Sequence, residues 1–281
     1  VSILVAGSLH LDVVLNAPHL PAPDETVTGH GVDYVFGGKG GNQAIAAARM
    51  TGGVHFAGRA GSDSFGDMIR DKLATTSVDV SQLQIDPGPS GMSAAIVNSD
   101  GEYGAVIVSA ANLNIDADAV VVPEGCKLVL LQNEIPEPVN LAVAQKGKDA
   151  GAQVWLNAAP ARRLPAALVA AVDLVIVNRV EAAFYSDMTT SVDTLTTLGA
   201  EGVSYKGQVH SGYAVDVIST HGAGDAFVGA LAAEVCEGRQ VSDGIEFAQA
   251  AAALHVSSAL SDRERLNRQA VTDFLKSCAN R

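Results

Sequence analysis

The sequence predicts an α/β protein in which a central, mostly parallel sheet is flanked by helices and accompanied by a small antiparallel β lid. Short apolar runs at 3–6, 54–57, 128–131, 154–156 and 174–177 are bounded by Gly, Asn or Asp. They have no polar face, as expected of strands buried on both sides. Stretches with helical spacing or high helix propensity lie between them at 42–50, 65–73, 139–150 and 166–171, the alternation of a parallel sheet with crossover helices. The last third changes character, with three consecutive helical stretches at 222–235, 242–257 and 268–277.

Two segments interrupt this alternation. Residues 12–36 hold a strand at 12–16, a turn containing Pro18, Pro21 and Pro23, and a rough period-two pattern over 25–36. Residues 90–109 read as a hairpin, with strands at 93–98 and 103–109 about a Ser99-Asp100-Gly101 turn. Neither segment is joined to the core by a crossover helix. Together they are expected to form a lid over the strand C-terminal ends, where open α/β sheets bind ligands. The expected division is therefore a core of 1–11, 37–89 and 110–281 and a lid of 12–36 and 90–109.

Composition narrows the function. With 48% hydrophobic residues over 281 positions, the chain can bury a large core, which excludes a disordered chain. Eighteen Lys+Arg against 31 Asp+Glu leave a formal charge of −13, which disfavours nucleic acid or an anionic membrane as partner. No apolar run approaches the ~20 residues of a membrane span. The opening Val-Ser-Ile-Leu-Val-Ala-Gly lacks a basic region and reads as a strand, so secretion is not expected. Cys126, Cys236 and Cys278 are odd in number and far apart, which suits a reducing cytoplasm rather than a disulfide framework or a zinc site. The seven histidines show no metal spacing and there is no G-x-S-x-G elbow. Arg162-Arg163 and the stretch 263–268 read as solvated faces of mixed charge.

The strongest chemical signal is Ser219-Thr220-His221-Gly222-Ala223-Gly224-Asp225 ahead of a helical run. A small-residue turn opening a helix leaves backbone N–H groups free at the positive end of the helix dipole, which makes an anion site. Asp225 in such a site reads equally as a helix N-cap or as a general base in phosphoryl transfer. A second glycine turn, Gly37-Gly38-Lys39-Gly40-Gly41-Asn42, opens an Ala-rich helix. It fits neither the Walker A loop nor G-x-G-x-x-G. A cation and a carboxamide at that helix start suit a polyhydroxylated or phosphorylated ligand. Asn178 and Glu181 share a helix face after the strand 174–177. Capping is the favoured reading of that pair, and oxygen ligation of hydrated Mg2+ the alternative. Asp12 and Glu134 follow strands, and singly each reads as a solvated loop carboxylate.

In this order along the chain, from residue 3 to about 256, these motifs resemble the ribokinase (PfkB-type carbohydrate kinase) family. The resemblance implies a ribokinase-like fold and an ATP- and Mg2+-dependent sugar kinase. It makes Asp225 the base, with Gly222, Ala223 and Gly224 as the anion hole. It makes Asp12, Gly38, Lys39, Asn42 and Glu134 the substrate contacts, and Asn178, Thr197, Gly199, Gly202, Gly224 and Gln249 the nucleotide contacts. Asn178 and Glu181 fall near Mg2+. His10 stands where ribokinases commonly have Asn, and Gln249 where they often have Asn. Ser219 replaces an Asp that in ribokinases helps hold a monovalent cation, and 257–262 lacks the family's Gly/Ser-rich loop, which implies weak potassium dependence. The stretch between Glu181 and Thr197 is short by about a helix–strand element.

The acceptor expected is ribose or a close relative, through its primary hydroxyl. A nucleoside, fructose or a 2-keto-3-deoxy sugar acid is the alternative on the same fold, and a non-catalytic sugar- or nucleotide-binding regulator the alternative in another class. Asp12 and Glu134 favour a neutral polyol, because two carboxylates repel a third. A dinucleotide-dependent oxidoreductase is disfavoured, since no G-x-G-x-x-G follows the first strand. The apolar faces of the lid hairpins suggest a lid-to-lid homodimer.

Overall fold

Apolar strands that lack a polar face need cover on both sides, and the chain supplies it. The computed structural model describes residues 2–100, 102–187 and 191–279. Gly101 of the expected hairpin turn and residues 188–190 of the shortened stretch lie outside the described residues. Strands β1 (Ser2–Ala6), β2 (His10–Asn16) and β3 (Gly31–Gly37) lead into helix α1 (Lys39–Met50). Then come β4 (Val54–Gly61), α2 (Ser64–Ala74), β5 (Asp79–Asp86), β6 (Met92–Val97) and β7 (Tyr103–Val108). The second half runs β8 (Cys126–Gln132), α3 (Glu137–Asp149), β9 (Gln153–Asn157), α4 (Ala166–Ala171), β10 (Leu174–Asn178) and α5 (Arg179–Phe184). It ends with β11 (Asp193–Thr197), β12 (Val203–Tyr205), β13 (Gln208–His210), α6 (Ala223–Cys236), α7 (Val241–Ser257) and α8 (Arg268–Ala279).

The nine-stranded main sheet has the order β13-β12-β11-β10-β9-β8-β1-β4-β5. It is parallel from β11 to β5, with an antiparallel edge of β12 and β13. Alternate side chains of the central strands feed two cores. Ile3, Val5, Leu128 and Leu130 pack with residues of α1 and α6, whereas Leu4, Ala6, Val129 and Leu131 pack with residues of α3 and α4. The four-stranded lid has the order β3-β2-β6-β7. Its outer pairs are antiparallel, and the central pair β2–β6 runs parallel, setting Asp12 beside Ser93.

One crossing decides the geometry of the site. A methyl group at Gly229 of α6 would sit 2.6 Å from Ala46 Cβ and 2.7 Å from the Gln43 carbonyl. The helices α1 and α6 therefore meet nearly backbone to backbone, which only small residues on both faces allow. That approach brings the first turns of the two helices together.

Four elements were not foreseen: β5 and the three strands β11–β13. The expectation that 263–268 is a solvated face is also corrected. Arg263 is buried. Arg268 lies over the Phe247 ring and pairs with buried Glu234 at 2.7 Å. The helix α8 packs back onto the core (Val271 is fully buried), so these long side chains lie along apolar surface instead of projecting into water. Arg162 is half-buried and donates to the Ile135 carbonyl at 2.8 Å, whereas Arg163 is exposed as expected.

Candidate active site

The first turn of α1 is the meeting point. Gly38, at φ 89°, caps it, a conformation that glycine adopts without strain. A Cβ at Gly40 would sit 2.6 Å from the Gly7 and Ser8 backbone, so the glycines let the helix start against the end of β1. The Lys39 backbone N–H donates to Glu134 Oε2 at 2.8 Å, and the Ser8 hydroxyl donates to the same oxygen at 2.5 Å. Glu134, on the turn after β8, thus clamps the β1–β2 loop to the helix start. Asp12, on β2, accepts from the Ser93 hydroxyl at 2.5 Å. It lies against Gly37, where any Cβ would fall 2.2 Å from its Oδ2.

Asp225 is not the N-cap of α6. That position belongs to Gly222 at φ 77°, and Asp225 sits in the first turn. Its carboxylate turns toward α1, accepting from Asn42 Nδ2 at 3.2 Å and from Gln43 Nε2 at 2.9 Å. Gln43 also donates to Asn157 Oδ1 at 2.9 Å and accepts from Gln132 Nε2 at 3.0 Å. Asn157 and Gln132 are the last residues of β9 and β8, so an amide network ties the carboxylate to the C-terminal ends of the sheet. Asp225 is 8% exposed. Burial pushes its pKa above the ordinary carboxylate range; the Lys39 charge and the Gln43 and Asn42 hydrogen bonds pull it back, while the Glu134 charge adds to the rise. A carboxylate held by two amide donors, with its proton affinity raised, has the properties of a general base.

Gln43 was missed as a site residue. The available signal was its place in α1: it shares the buried stripe of Ala47 and Met50 at helical spacing, where an uncharged amide needs a partner.

Ahead of α6, the Ala223 N–H donates to the Thr220 carbonyl at 3.2 Å. Among the described residues no hydrogen-bond acceptor takes the Gly224 or Asp225 N–H, and a Cβ at Gly224 would face open space. These amides are available to an anion. A cavity of about 400 Å³ opens here, lined by Asn42, Gly222 and Asp225 below and by Tyr34 and Phe36 of the lid strand β3 above. Asp12, Lys39 and Glu134 adjoin the same helix start but do not line that cavity.

The remaining expected residues gather at the other end of the sheet. Asn178 and Glu181 form a reciprocal capping box on α5, at 2.9 Å and 2.8 Å. Thr197 donates to the Val177 carbonyl at 3.3 Å. Gly199 and Gly202 take φ 64° and 106°, and a Cβ at Gly202 would strike the His210 carbonyl at 1.9 Å. Gln249 reaches across from α7 to donate to that same carbonyl at 2.8 Å. None of these lines the cavity at Asp225. Among the described residues no group of three or more His, Cys, Asp or Glu could hold a metal ion, and no helix is long and apolar enough to cross a membrane. His10 is buried, its ring packed at the turn carrying Gly91.

Known proteins are similar to this chain in sequence and fold. Residues 2–264 match the pfkB family of carbohydrate kinases. The ribokinase of Haemophilus influenzae is 31% identical over 303 residues, spanning 98% of each chain. That of Bacillus subtilis is 32% identical over 273 residues, spanning 92% of this chain and 93% of its own. The Arabidopsis thaliana ribokinase solved with ribose and ATP superposes with a TM-score of 0.88 at 28% identity, covering 98% of both chains. Two glycine turns 183 residues apart, joined by the Asn42–Asp225 hydrogen bond, and a match over nearly the whole length lead to one conclusion: the chain belongs to the pfkB family of carbohydrate kinases.

Proposed function

We propose that the protein is an ATP-dependent ribose kinase that transfers the γ-phosphoryl group of ATP to the primary hydroxyl of the sugar, with Asp225 as general base. The observation that carries this reading is the hydrogen-bonded meeting of Asn42 and Asp225 beneath the lid. Support for ribose and ATP as the ligands comes from the relatives, all ribokinases over most of their length.

The roles follow from position. Asp12, Asn42 and Glu134 hold sugar hydroxyls, and Gly38 with Lys39 shapes the approach. Asp225 accepts the proton of the attacking hydroxyl, while the Gly224 and Asp225 amides meet the negative charge that builds on the transferring group. Thr197, Gly199, Gly202 and Gln249 frame the nucleotide. Asn178 and Glu181 would hold Mg2+ through the waters it keeps, and the ion would there offset negative charge on the phosphates. The lid excludes water, which competes with the sugar as acceptor. Free Cys126, Cys236 and Cys278 suit a reducing cytoplasm.

A coupled assay with ATP and a panel of ribose, fructose, a nucleoside and a 2-keto-3-deoxy sugar acid tests this. Ribose should give the highest kcat/KM. A different preferred acceptor moves the substrate, and no turnover with any of them leaves a binding regulator. Leu15, Val32, Tyr34, Val106 and Ile107 of the lid strands are exposed, and a second copy docked lid to lid is the occupant this reading assigns to them. Sedimentation should give twice the chain mass, and a monomer at micromolar concentration ends that assignment.

A further inference from the structure

Arg263 is 6% exposed, and among the described residues no carboxylate lies within ion-pair distance of it. Its guanidinium instead serves three backbone carbonyls. NH2 donates to Ser219 at 3.0 Å, NH1 to His221 at 3.1 Å and Nε to Ser258 at 3.4 Å. Two of these carbonyls belong to the turn that leads into Gly222 and the N-terminus of α6. A buried charge without a counter-ion is costly, and burial alone lowers the Arg263 pKa; convergent carbonyl dipoles are what compensate it. His255 Nε2 also bonds the His221 carbonyl at 2.9 Å. Burial holds the His255 pKa down at about 4, so that ring is neutral near pH 7. The group of carbonyls therefore holds one positive charge, and the chain itself provides it.

A monovalent cation does not fit this place. Its oxygen ligands would be these carbonyls, which already accept from Arg263, and Ser219 brings no carboxylate. We propose that the Arg263 guanidinium is a tethered cation that fixes the 219–222 turn and sets positive charge behind the anion-binding amides of 224–225, so that the protein works without activation by potassium. Arg263 also borders the cavity at Asp225; in this scheme it is a positioning residue that acts through the turn whose carbonyls it holds. The kinetic part of the inference rests on the kinase reading, and the thermal part does not.

The test uses the full chain as wild type, Arg263→Ala and Arg263→Lys, compared in equal concentrations of NaCl and KCl and in NaCl supplemented with millimolar guanidinium. Wild-type kcat and melting temperature should be the same in the two salts. Arg263→Ala should lose about fivefold in kcat, the scale of one charge at a helix N-terminus, with sugar KM little changed. Potassium or guanidinium should restore kcat and raise its melting temperature relative to NaCl, and Arg263→Lys should keep most of the activity. Severalfold activation of the wild type by potassium overturns the proposal. So does a folded Arg263→Ala with wild-type kcat, or one that no cation restores. If Arg263→Ala does not fold, the wild type and Arg263→Lys decide the matter. A wild type inactive on every sugar sinks the kinase reading instead, and the melting temperatures still judge the tethered cation.

Discussion

Replacing Asp225 by Asn should lower kcat by roughly 10²- to 10⁴-fold, the usual worth of a positioned base, while sugar affinity stays within a few-fold and the melting temperature at neutral pH rises. The rate effect follows because an amide cannot accept the hydroxyl proton. Affinity survives because the sugar contacts on Asp12 and Glu134 are untouched and Asn42 only turns its amide. The thermal effect follows from burial. The folded-state pKa of Asp225 is raised above its unfolded value by desolvation. Between those two values the folded protein binds more protons than the unfolded one, so stability falls as pH rises. The contribution is fully present below the unfolded pKa and is lost as pH climbs through the folded one. At neutral pH the wild type therefore carries a buried charge at a net cost, and Asn removes it. Its Oδ1 can keep the Gln43 bond, and Asn42 can turn its amide to accept from the new NH2. Activity and thermal melts of one preparation decide the outcome. Turnover near wild type removes Asp225 from the mechanism, and a loss of activity with a lowered melting temperature points to structural damage instead.

The parts of the fold that were legible in the sequence are those whose burial leaves no choice of pattern. The strands β1, β8, β9 and β10 are apolar on both faces because helices cover both, and each was readable to within two residues. The edges were not. In β5, Asp79, Ser81, Gln82 and Gln84 interrupt Val80 and Leu83, and β11–β13 are short and rich in Thr, Ser and Gln. Such strands gain their identity from pairing with neighbours, which local propensity does not report. In the site, Asp225 and Asn42 announced themselves through glycines, because a turn that admits a ligand must dispense with side chains. Gln43, Gln132 and Asn157 act as a network assembled from three separate elements, and no single segment shows it. Arg263 misled for a related reason. A run of Arg, Glu and Arg looks solvated until the carbonyls that one guanidinium serves, more than forty residues away, come into view.

The amide network holds Asp225 in place and burial raises its proton affinity, and two nearby charges then adjust that affinity in opposite senses. Lys39 lowers the Asp225 pKa more than any other group, and Glu134 raises it. A general base works only when deprotonated, so its pKa fixes the acidic limb of the profile of kcat/KM against pH. Lys39→Met removes the cation and should move that limb to higher pH by about one unit, the low end of what an adjacent opposite charge does, so that the loss is greatest on the acidic side of the limb and vanishes on its alkaline plateau. Glu134→Gln should move the limb to lower pH. The amide oxygen of Gln can still accept from the Lys39 N–H and the Ser8 hydroxyl, so the helix start stays clamped. Sugar KM rises in both variants, since both residues adjoin the acceptor side, but a change in KM alone does not displace a limb. Opposite displacements of the two profiles, measured at saturating ATP, would tie the limb to one carboxylate lying between these two charges. If both move the same way or neither moves, the rate is governed by the titration of some other group.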